Sequence, residues 1–174
     1  MKESIVGDKV MLRALREEDA EFFTRWHNDP EIMFECGFSD TTTLESEINK
    51  IRSPEKEDRD WYAITDLSDK IIGETGFLRM DHYWHRTDMS MIIPNPEDQG
   101  KGYGHEAGNL MLDRAFRYYE FNRIAVGVVA LNTPGLKYWE SLGFRKEGIE
   151  EQGYYHSGEF SDFILMRILK SEYI

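Results

Sequence analysis

The chain has 174 residues, of which 40% are hydrophobic and 31% charged, and its formal net charge at pH 7 is −12. This length is typical of one domain, and the negative charge argues against a nucleic-acid partner because phosphates would be repelled. The one cysteine, Cys36, cannot form an internal disulfide, and no apolar run is long enough to span a membrane. We therefore expect one domain over residues 1–174, in the cytoplasm, with no nucleic-acid or membrane partner.

The first sixty residues show the pattern of a strand followed by helices. Apolar residues at alternate positions predict a strand, and apolar residues at helical spacing predict helices. In chain order, the elements are a strand over residues 9–15, a helix over 16–28, a short helix or a loop over 31–38, a helix over 43–51 and a charged linker over 54–60. Thr42 and Thr43 are both candidate N-caps of the last helix.

From residue 61 onward, strands predominate. The predicted strands cover residues 61–65, 71–80, 87–93, 123–130, 144–155 and 160–169, and the predicted helices follow residue 104, to about Tyr119, and cover residues 132–142. The order of elements predicts an α/β (α+β) fold, with a mixed, mostly antiparallel sheet of about seven strands flanked by four helices.

Three glycines at every second position, Gly100, Gly102 and Gly104, lie between a predicted strand and a predicted helix. The first turn of a helix has unpaired N–H groups, and glycines let a phosphate approach that backbone without a Cβ in the way. Neither the Walker pattern G-x-x-x-x-G-K-[ST] nor the dinucleotide pattern G-x-G-x-x-G fits, since His105 stands where the latter needs a small residue. The stretch therefore predicts a pyrophosphate site of another kind.

Residues 99–104 read Q-x-x-G-x-G, and this stretch resembles the coenzyme A pyrophosphate loop of the GNAT N-acetyltransferases. Residues 132–144 resemble a second signature of that family, N-x-x-[AG]-x-x-x-[aromatic]-x-x-x-G-[FY]. The two ends of the chain look like the subgroup of ribosomal-protein N-terminal acetyltransferases and bacterial spermidine acetyltransferases. The resemblance covers nearly the whole chain and is weakest over residues 36–60.

The resemblance implies acetyl-CoA as co-substrate, without a metal. The strand before the loop is then expected to splay from the strand over residues 124–130, so that the pantetheine arm enters between them. Asn132 resembles the family's side-chain contact to the arm, and it is equally suited to cap the helix that it opens. Lys101 is a candidate partner of a phosphate. The candidate residues for binding the co-substrate are Met91, Ile92, Ile93, Gln99, Gly100, Lys101, Gly102, Tyr103, Gly104, Asn132 and Trp139.

The proton donor to the leaving thiolate is where the chain departs from the family. Trp139 stands at the position where many relatives have a tyrosine, and an indole N–H is no acid near neutral pH. Tyr138, one residue away, is a candidate replacement, and water or the departing ammonium is the alternative.

For the base, Glu74 on a central strand is one candidate, although a solvent-facing position would suit it as well. His85, in a turn with His82 and Asp88, is the other candidate. We interpret the remaining histidines, His27 among them, as structural or exposed, and Cys36 as a spectator.

The resulting hypothesis is direct acetyl transfer from acetyl-CoA to a primary amine, either a polyamine or other small molecule, or the terminal amine of a protein. Glu31 and Glu35 are candidate carboxylates at the acceptor mouth. The alternative is a non-catalytic acyl-CoA-binding or sensing domain, which the tryptophan at position 139 favours. The expected partner is a small-molecule or peptide amine, and a homo-oligomer stays open.

Overall fold

The computed structural model describes residues 2–37, 39–53 and 56–173. In this part of the chain the strands are β1 Ile5–Val6, β2 Val10–Arg13, β3 Asp60–Asp66, β4 Ile71–Asp81, β5 Arg86–Ile92, β6 Arg123–Val129, β7 Arg145–His156 and β8 Glu159–Leu169. The helices are α1 Ala20–His27, α2 Pro30–Cys36, α3 Leu44–Arg52, α4 Tyr103–Asp113 and α5 Thr133–Ser141. Short 3-10 helices cover Glu17–Asp19, Pro96–Asp98 and Lys170–Glu172, and a π-helix covers Arg114–Tyr118.

The predicted fold class is confirmed, and the described residues contain one more strand and one more α-helix than predicted. The additional strand, β1, has only two residues, too few to show an alternating pattern. The additional helix, α2, lies where the sequence allowed a helix or a loop, and Asp29 caps it by accepting hydrogen bonds from the N–H groups of Glu31 and Ile32. Residue 38, at the end of that segment, and residues 54 and 55, in the predicted linker, lie outside the described residues.

Two predicted helix boundaries are settled by hydrogen bonds. Thr43 rather than Thr42 caps α3, because its Oγ1 accepts a bond of 3.1 Å from the N–H of Ser46. The helix after the glycines reaches Tyr118 as predicted, but its last five residues, Arg114–Tyr118, have π-helical geometry.

One sheet holds all the strands, in the order β1-β2-β3-β4-β5-β6-β8-β7. Every neighbouring pair is antiparallel except β5 and β6, which run parallel. That parallel pair is short: it joins only Arg86 to Arg123, Thr87 to Ile124 and Asp88 to Ala125. Beyond Asp88 the two strands diverge, and this divergence places the functional site.

Two apolar clusters hold the helices against the sheet. The larger one joins the strands to α4 and α5, with Tyr62, Phe77 and Met111 fully buried within it. The smaller one packs Phe23 and Trp26 of α1 around Ile92 of β5. Burial of each such large side chain contributes about 2 kcal/mol. The smaller cluster is what fixes α1, and therefore His27 at its end, above the centre of the sheet.

Candidate active site

A cleft of about 1460 Å³ opens where β5 and β6 diverge. Its walls include residues 89–93 of β5 and the turn after it, and residues 126–129 of β6. The carbonyl of Ile92 faces β4, since a Cβ built on Gly73 would lie 2.2 Å from its oxygen. Because backbone groups alternate along a strand, Met91 directs its own N–H and C=O towards β6, into the gap. In the described residues the pairing of β5 with β6 ends at Asp88, so this wall of the cleft presents backbone polar groups that β6 does not pair.

The glycine loop leads from this wall into α4. Gly100 and Gly102 have φ angles of 71° and 85°, which favour glycine strongly. A Cβ built on Gly100 would meet no atom within 4 Å, so the loop's outer side is open. Among the described residues, none accepts a hydrogen bond from the backbone N–H groups of residues 100–105. A row of free donors at the N-terminus of an eleven-residue helix is the arrangement that a pyrophosphate requires, so the loop fits coenzyme A.

Lys9 adds a positive charge to this loop that sequence reasoning missed. Its Nζ donates to the carbonyl of Lys101 at 3.3 Å, and a Cβ on Gly102 would lie 3.1 Å from it. Glu106 of α4 holds the preceding turn in place, since its carboxylate accepts bonds of 2.8–2.9 Å from the N–H groups of Asp8, Lys9 and Val10. The separation of more than 90 residues leaves no local signal for this contact.

Asn132 serves as a cap and also lines the cleft. Its Oδ1 accepts a bond of 2.8 Å from the N–H of Gly135, and its Nδ2 donates to the carbonyl of Glu35 at 3.1 Å. The capping alternative is therefore confirmed, while a contact with the pantetheine arm stays a prediction.

Tyr138 and Trp139 both line the cleft, on the side of α4. The hydroxyl of Tyr138 donates to the carbonyl of Gly104 at 2.8 Å, and burial raises its pKa above the usual range of a phenol. Trp139 is 5% exposed and packs edge-to-face on Tyr138 and Phe144. The phenol one residue from the family position therefore reaches the cleft, and it does so beside the glycine loop.

Glu74 lies on the opposite side of the cleft, between α1 and the sheet. It is 7% exposed, so the solvent-facing alternative is wrong. Its Oε2 accepts a bond of 2.8 Å from Nε1 of Trp61, and its Oε1 lies 3.4 Å from Nε2 of His27. A buried carboxylate that lines a cleft and has fixed donors is a candidate general base.

His27 was interpreted as structural or exposed, and the structure places it in the cleft wall beside Glu74. Its other ring nitrogen, Nδ1, lies 3.1 Å from Oε1 of Glu47. Burial disfavours the charged ring, but the hydrogen bonds and charges of Glu47 and Glu74 outweigh burial and raise the pKa of His27 to about 9. His27 is therefore an imidazolium at neutral pH.

A family model for the acetyltransferase (GNAT) domain matches residues 9–145 of the chain. The chain belongs to the GNAT acetyltransferase family. The match includes β2 to β6, α1 to α5 and the glycine loop, and it ends where β7 begins. The splayed strands and the loop described above are thus features of a GNAT N-acetyltransferase.

Several N-acetyltransferases are similar to the chain over almost its full length. The spermidine N(1)-acetyltransferase of Vibrio cholerae is 29% identical over 172 residues, which are 97% of this chain and 98% of that protein. The uncharacterized N-acetyltransferase p20 of Bacillus licheniformis is 29% identical over 176 residues, 98% of either chain. A crystal structure of spermidine N-acetyltransferase from Vibrio cholerae, in complex with CoA and spermine, matches with a TM-score of 0.85 at 24% identity and covers 96% of this chain and 99% of that chain. At that identity the structural likeness shows the GNAT fold.

Of the residues expected to bind the co-substrate, all but two line the cleft. The exceptions are the side chains of Lys101, which is half-exposed with Nζ 4.0 Å from Asp98, and of Tyr103, which packs against the larger cluster. Gln99 lines the cleft, and its Nε2 donates to the carbonyl of Ile93 at 2.8 Å, so its side chain closes the turn between β5 and the loop. We therefore retain only the backbone of positions 101 and 103 as candidate donors.

Two further expected residues lie outside the cleft lining. His85 is exposed in the turn before β5, with a φ of 50° and its carbonyl bonded to the N–H of Asn122 at 2.7 Å. This turn lies at the end where β5 and β6 pair, so the structure places His85 away from the splayed end of the two strands. Glu31 is exposed on the first turn of α2, whereas Glu35, one turn later, does line the cleft.

Cys36 also lines the cleft. Burial, together with the negative charges of Glu35 and Glu74, raises the pKa of its thiol to about 12, so the thiol is protonated and a poor nucleophile. Among the residues that the structure describes, no three His, Cys, Asp or Glu side chains are grouped to hold a metal ion. In the same residues, no helix is both long and apolar enough to cross a membrane.

Proposed function

We propose that the protein is an acetyl-CoA-dependent N-acetyltransferase that moves an acetyl group directly to a primary amine. The observation that carries this proposal is one cleft that, in the described residues, brings together the edge of β5 left unpaired by β6, the free N–H groups of residues 100–105 and the buried carboxylate of Glu74. Acetyl-CoA and the amine can therefore meet in that cleft, and the acetyl group can pass between them without a covalent enzyme intermediate.

The glycine loop and β5 hold the donor in this proposal. Acetyl-CoA supplies the acetyl group as a reactive thioester. The N–H groups of residues 100–105 bind its pyrophosphate, assisted by the charge of Lys9, and the backbone of Met91 lies along the arm. An N–H on that wall polarises the thioester carbonyl as negative charge develops on its oxygen. Asn132 borders the same path.

Glu74 acts on the acceptor. An alkyl ammonium must lose a proton before its nitrogen can attack, and Glu74 takes that proton directly or through one water. On the other side, the phenol of Tyr138 lines the cleft beside the loop, and it must release the carbonyl of Gly104 to donate to the leaving sulfur. If Tyr138 does not donate, the leaving thiolate takes its proton from water or from the acceptor amine. Replacement of Trp139 with Tyr distinguishes these routes, because added activity would show that a phenol at that position limits the rate.

The acceptor class rests on the relatives and on the charges of the cleft. The spermidine acetyltransferase relative favours a polyamine or another small primary amine. The lining is mixed in charge, however, since it includes acidic residues and also basic ones, namely Lys2, Lys50, Lys56, Arg59 and Arg79. A polyamine and a peptide amine therefore both remain within the proposal.

The test is release of free thiol from acetyl-CoA in the presence of spermidine, spermine, a simple monoamine, and peptides that begin with Ala or Ser. Thiol release that depends on one of these amines, with the acetylated amine seen by mass spectrometry, would support the proposal and name the acceptor class. The alternative, a non-catalytic acyl-CoA-binding domain, is favoured by Trp139. It would be supported by a rise in melting temperature with coenzyme A and no turnover of any amine.

A further inference from the structure

His27 stands between two carboxylates that come from different elements. Nδ1 lies 3.1 Å from Glu47 of α3, and Nε2 lies 3.4 Å from Glu74 of β4. A neutral imidazole has one N–H and can donate to only one of them. The protonated ring donates to both, so this geometry requires the imidazolium when both carboxylates are ionised.

Glu47 of α3, which also lines the cleft, fixes the ring at Nδ1. It is 3% exposed, and its Oε1 also accepts bonds from Oγ1 of Thr42 at 2.5 Å and from Nζ of Lys50 at 2.7 Å. A buried carboxylate that accepts from three donors is held in place, so it restrains the imidazole ring that it contacts. Glu47 therefore determines the orientation of the His27 ring, and with it the positions of both ring nitrogens.

Glu74 is in turn held by two donors, His27 at Oε1 and Trp61 at Oε2. A carboxylate has about four lone-pair positions, so acceptor capacity remains on the side that lines the cleft. Glu74 is thus arranged as a base that His27 orients, and Glu47 orients His27 in turn.

We infer that His27, anchored by Glu47, is the positioning residue of the acceptor base Glu74 in this enzyme. The inference rests on the proposed function, since it names the group that keeps the proposed base aimed at the amine. The charged or titratable groups that face this unit are Glu47 and Lys50 from α3, Glu74 from β4, and Glu35 and Cys36 from α2.

Two substitutions of His27 separate its two contacts. In His27→Gln the side-chain amide reaches the place of Nε2 and keeps a neutral donor to Glu74. In His27→Asn the amide reaches only the place of Nδ1 and keeps the contact with Glu47. His156→Asn, on the hairpin between β7 and β8 and outside the cleft lining, is the matched control. Melting temperatures verify that each variant is folded.

The expected result is that His27→Asn lowers kcat for the amine about 10- to 100-fold, the effect of losing a hydrogen bond to a charged group. We expect a smaller loss for His27→Gln, an unchanged KM for acetyl-CoA in both, and full activity in the control.

Equal losses of kcat in the two variants would show that His27 only supports the fold, and would overturn the inference while leaving the proposed function intact. Full activity in His27→Asn would do the same. If the wild-type protein acetylates no amine, the proposed function fails, and the positioning role fails with it.

Discussion

Two groups of buried charges in this protein differ in whether they face the cleft. One surrounds Asp60, which is 4% exposed and accepts contacts from Lys2 at 2.8 Å, Arg114 at 2.5 Å and the hydroxyl of Tyr119 at 2.9 Å. The other surrounds His27, with Glu47 and Glu74 on either side. Both are buried ionic groups, and neither is recognisable from the spacing of its residues.

The Asp60 group is saturated. Two cations and the hydroxyls of Tyr119 and Tyr62 contact one carboxylate. Burial, which raises the pKa of Asp60, is outweighed by Lys2 and Arg114, so the pKa is lowered. Of this group, Lys2 lines the cleft, whereas Asp60 and Arg114 do not. The group joins the N-terminal segment, β3 and the π-helix, and its role is to hold these three together.

The two carboxylates of the His27 group have more lone-pair positions than there are donors around them, and the group borders the cleft. Glu74 is left with capacity to accept a proton from a ligand, and among the described residues Lys50 is the cation that pairs with Glu47. Burial of charge alone is thus a poor indicator of a functional site. Unsatisfied capacity that opens into a cleft is the better one.

The largest expected effect comes from Asp60→Asn. Loss of the buried carboxylate leaves the partly buried cations Arg114 and Lys2 without their counter-charge, and we expect the free energy of unfolding to fall by about 3–5 kcal/mol. Chemical denaturation measures this, with Asp40→Asn, at an exposed position, as the control. Where the variant is folded, its affinity for coenzyme A should be that of the wild type. A reduced affinity with unchanged stability would contradict the distinction between the two groups.

The His27 group should show its charge in the dependence of stability on pH. The pKa of His27 is raised from the ordinary 6.5 to about 9, so its stabilisation is fully present below about pH 6.5 and is lost as the pH rises through about 9. The pKa of Glu47 is lowered to about 2: burial raises it, but His27, Lys50 and Thr42 outweigh this. The same contact is therefore also lost in acid, as the pH falls from about 4.5 towards 2.

We expect the wild type to exceed His27→Gln in free energy of unfolding by up to about 3 kcal/mol at pH 6, and by much less at pH 10. Urea denaturation at the two pH values gives the difference. An equal difference at both would mean that His27 is neutral in the folded protein, and the imidazolium bridge would be wrong.

Two glycines sharpen the same contrast between binding and structural roles. Gly100 in the loop and Gly158 in the β7–β8 turn have φ angles of 71° and 91°, and a Cβ on either would meet no atom within 4 Å. Gly100→Ala and Gly158→Ala should therefore cost similar stability, about 1 kcal/mol from the left-handed backbone. Calorimetric titration should show coenzyme A affinity about tenfold weaker for Gly100→Ala alone. Equal affinities would remove the loop from the binding site.

The smallest effect is expected from Tyr138→Phe. The ring and its packing remain, and only the bond to the carbonyl of Gly104 is lost, which is worth about 1 kcal/mol of stability. If Tyr138 donates the proton to the leaving sulfur, kcat falls with little change in coenzyme A affinity. Unchanged kcat would assign that proton to water or to the acceptor, and Tyr138 would then join the structural residues.

The sequence by itself determined the family, the order of strands and helices, and the position of the glycine loop. Each of these depends on residues close together in the chain: alternation within a strand, apolar spacing within a helix, and glycines at the start of a helix. The absence of the usual tyrosine at position 139 is likewise a local fact.

Only the tertiary structure decided which polar side chains meet in the cleft. His27 and Glu74 are 47 positions apart, and they meet because the apolar face of α1 packs over β5 beside the strand that carries Glu74. Lys9 reaches the loop because Glu106 binds the turn before β2. His85 lies at the other end of β5, although it is close to the site in sequence. Such contacts follow from the packing of whole elements, which leaves no periodic signal in the residues that it brings together.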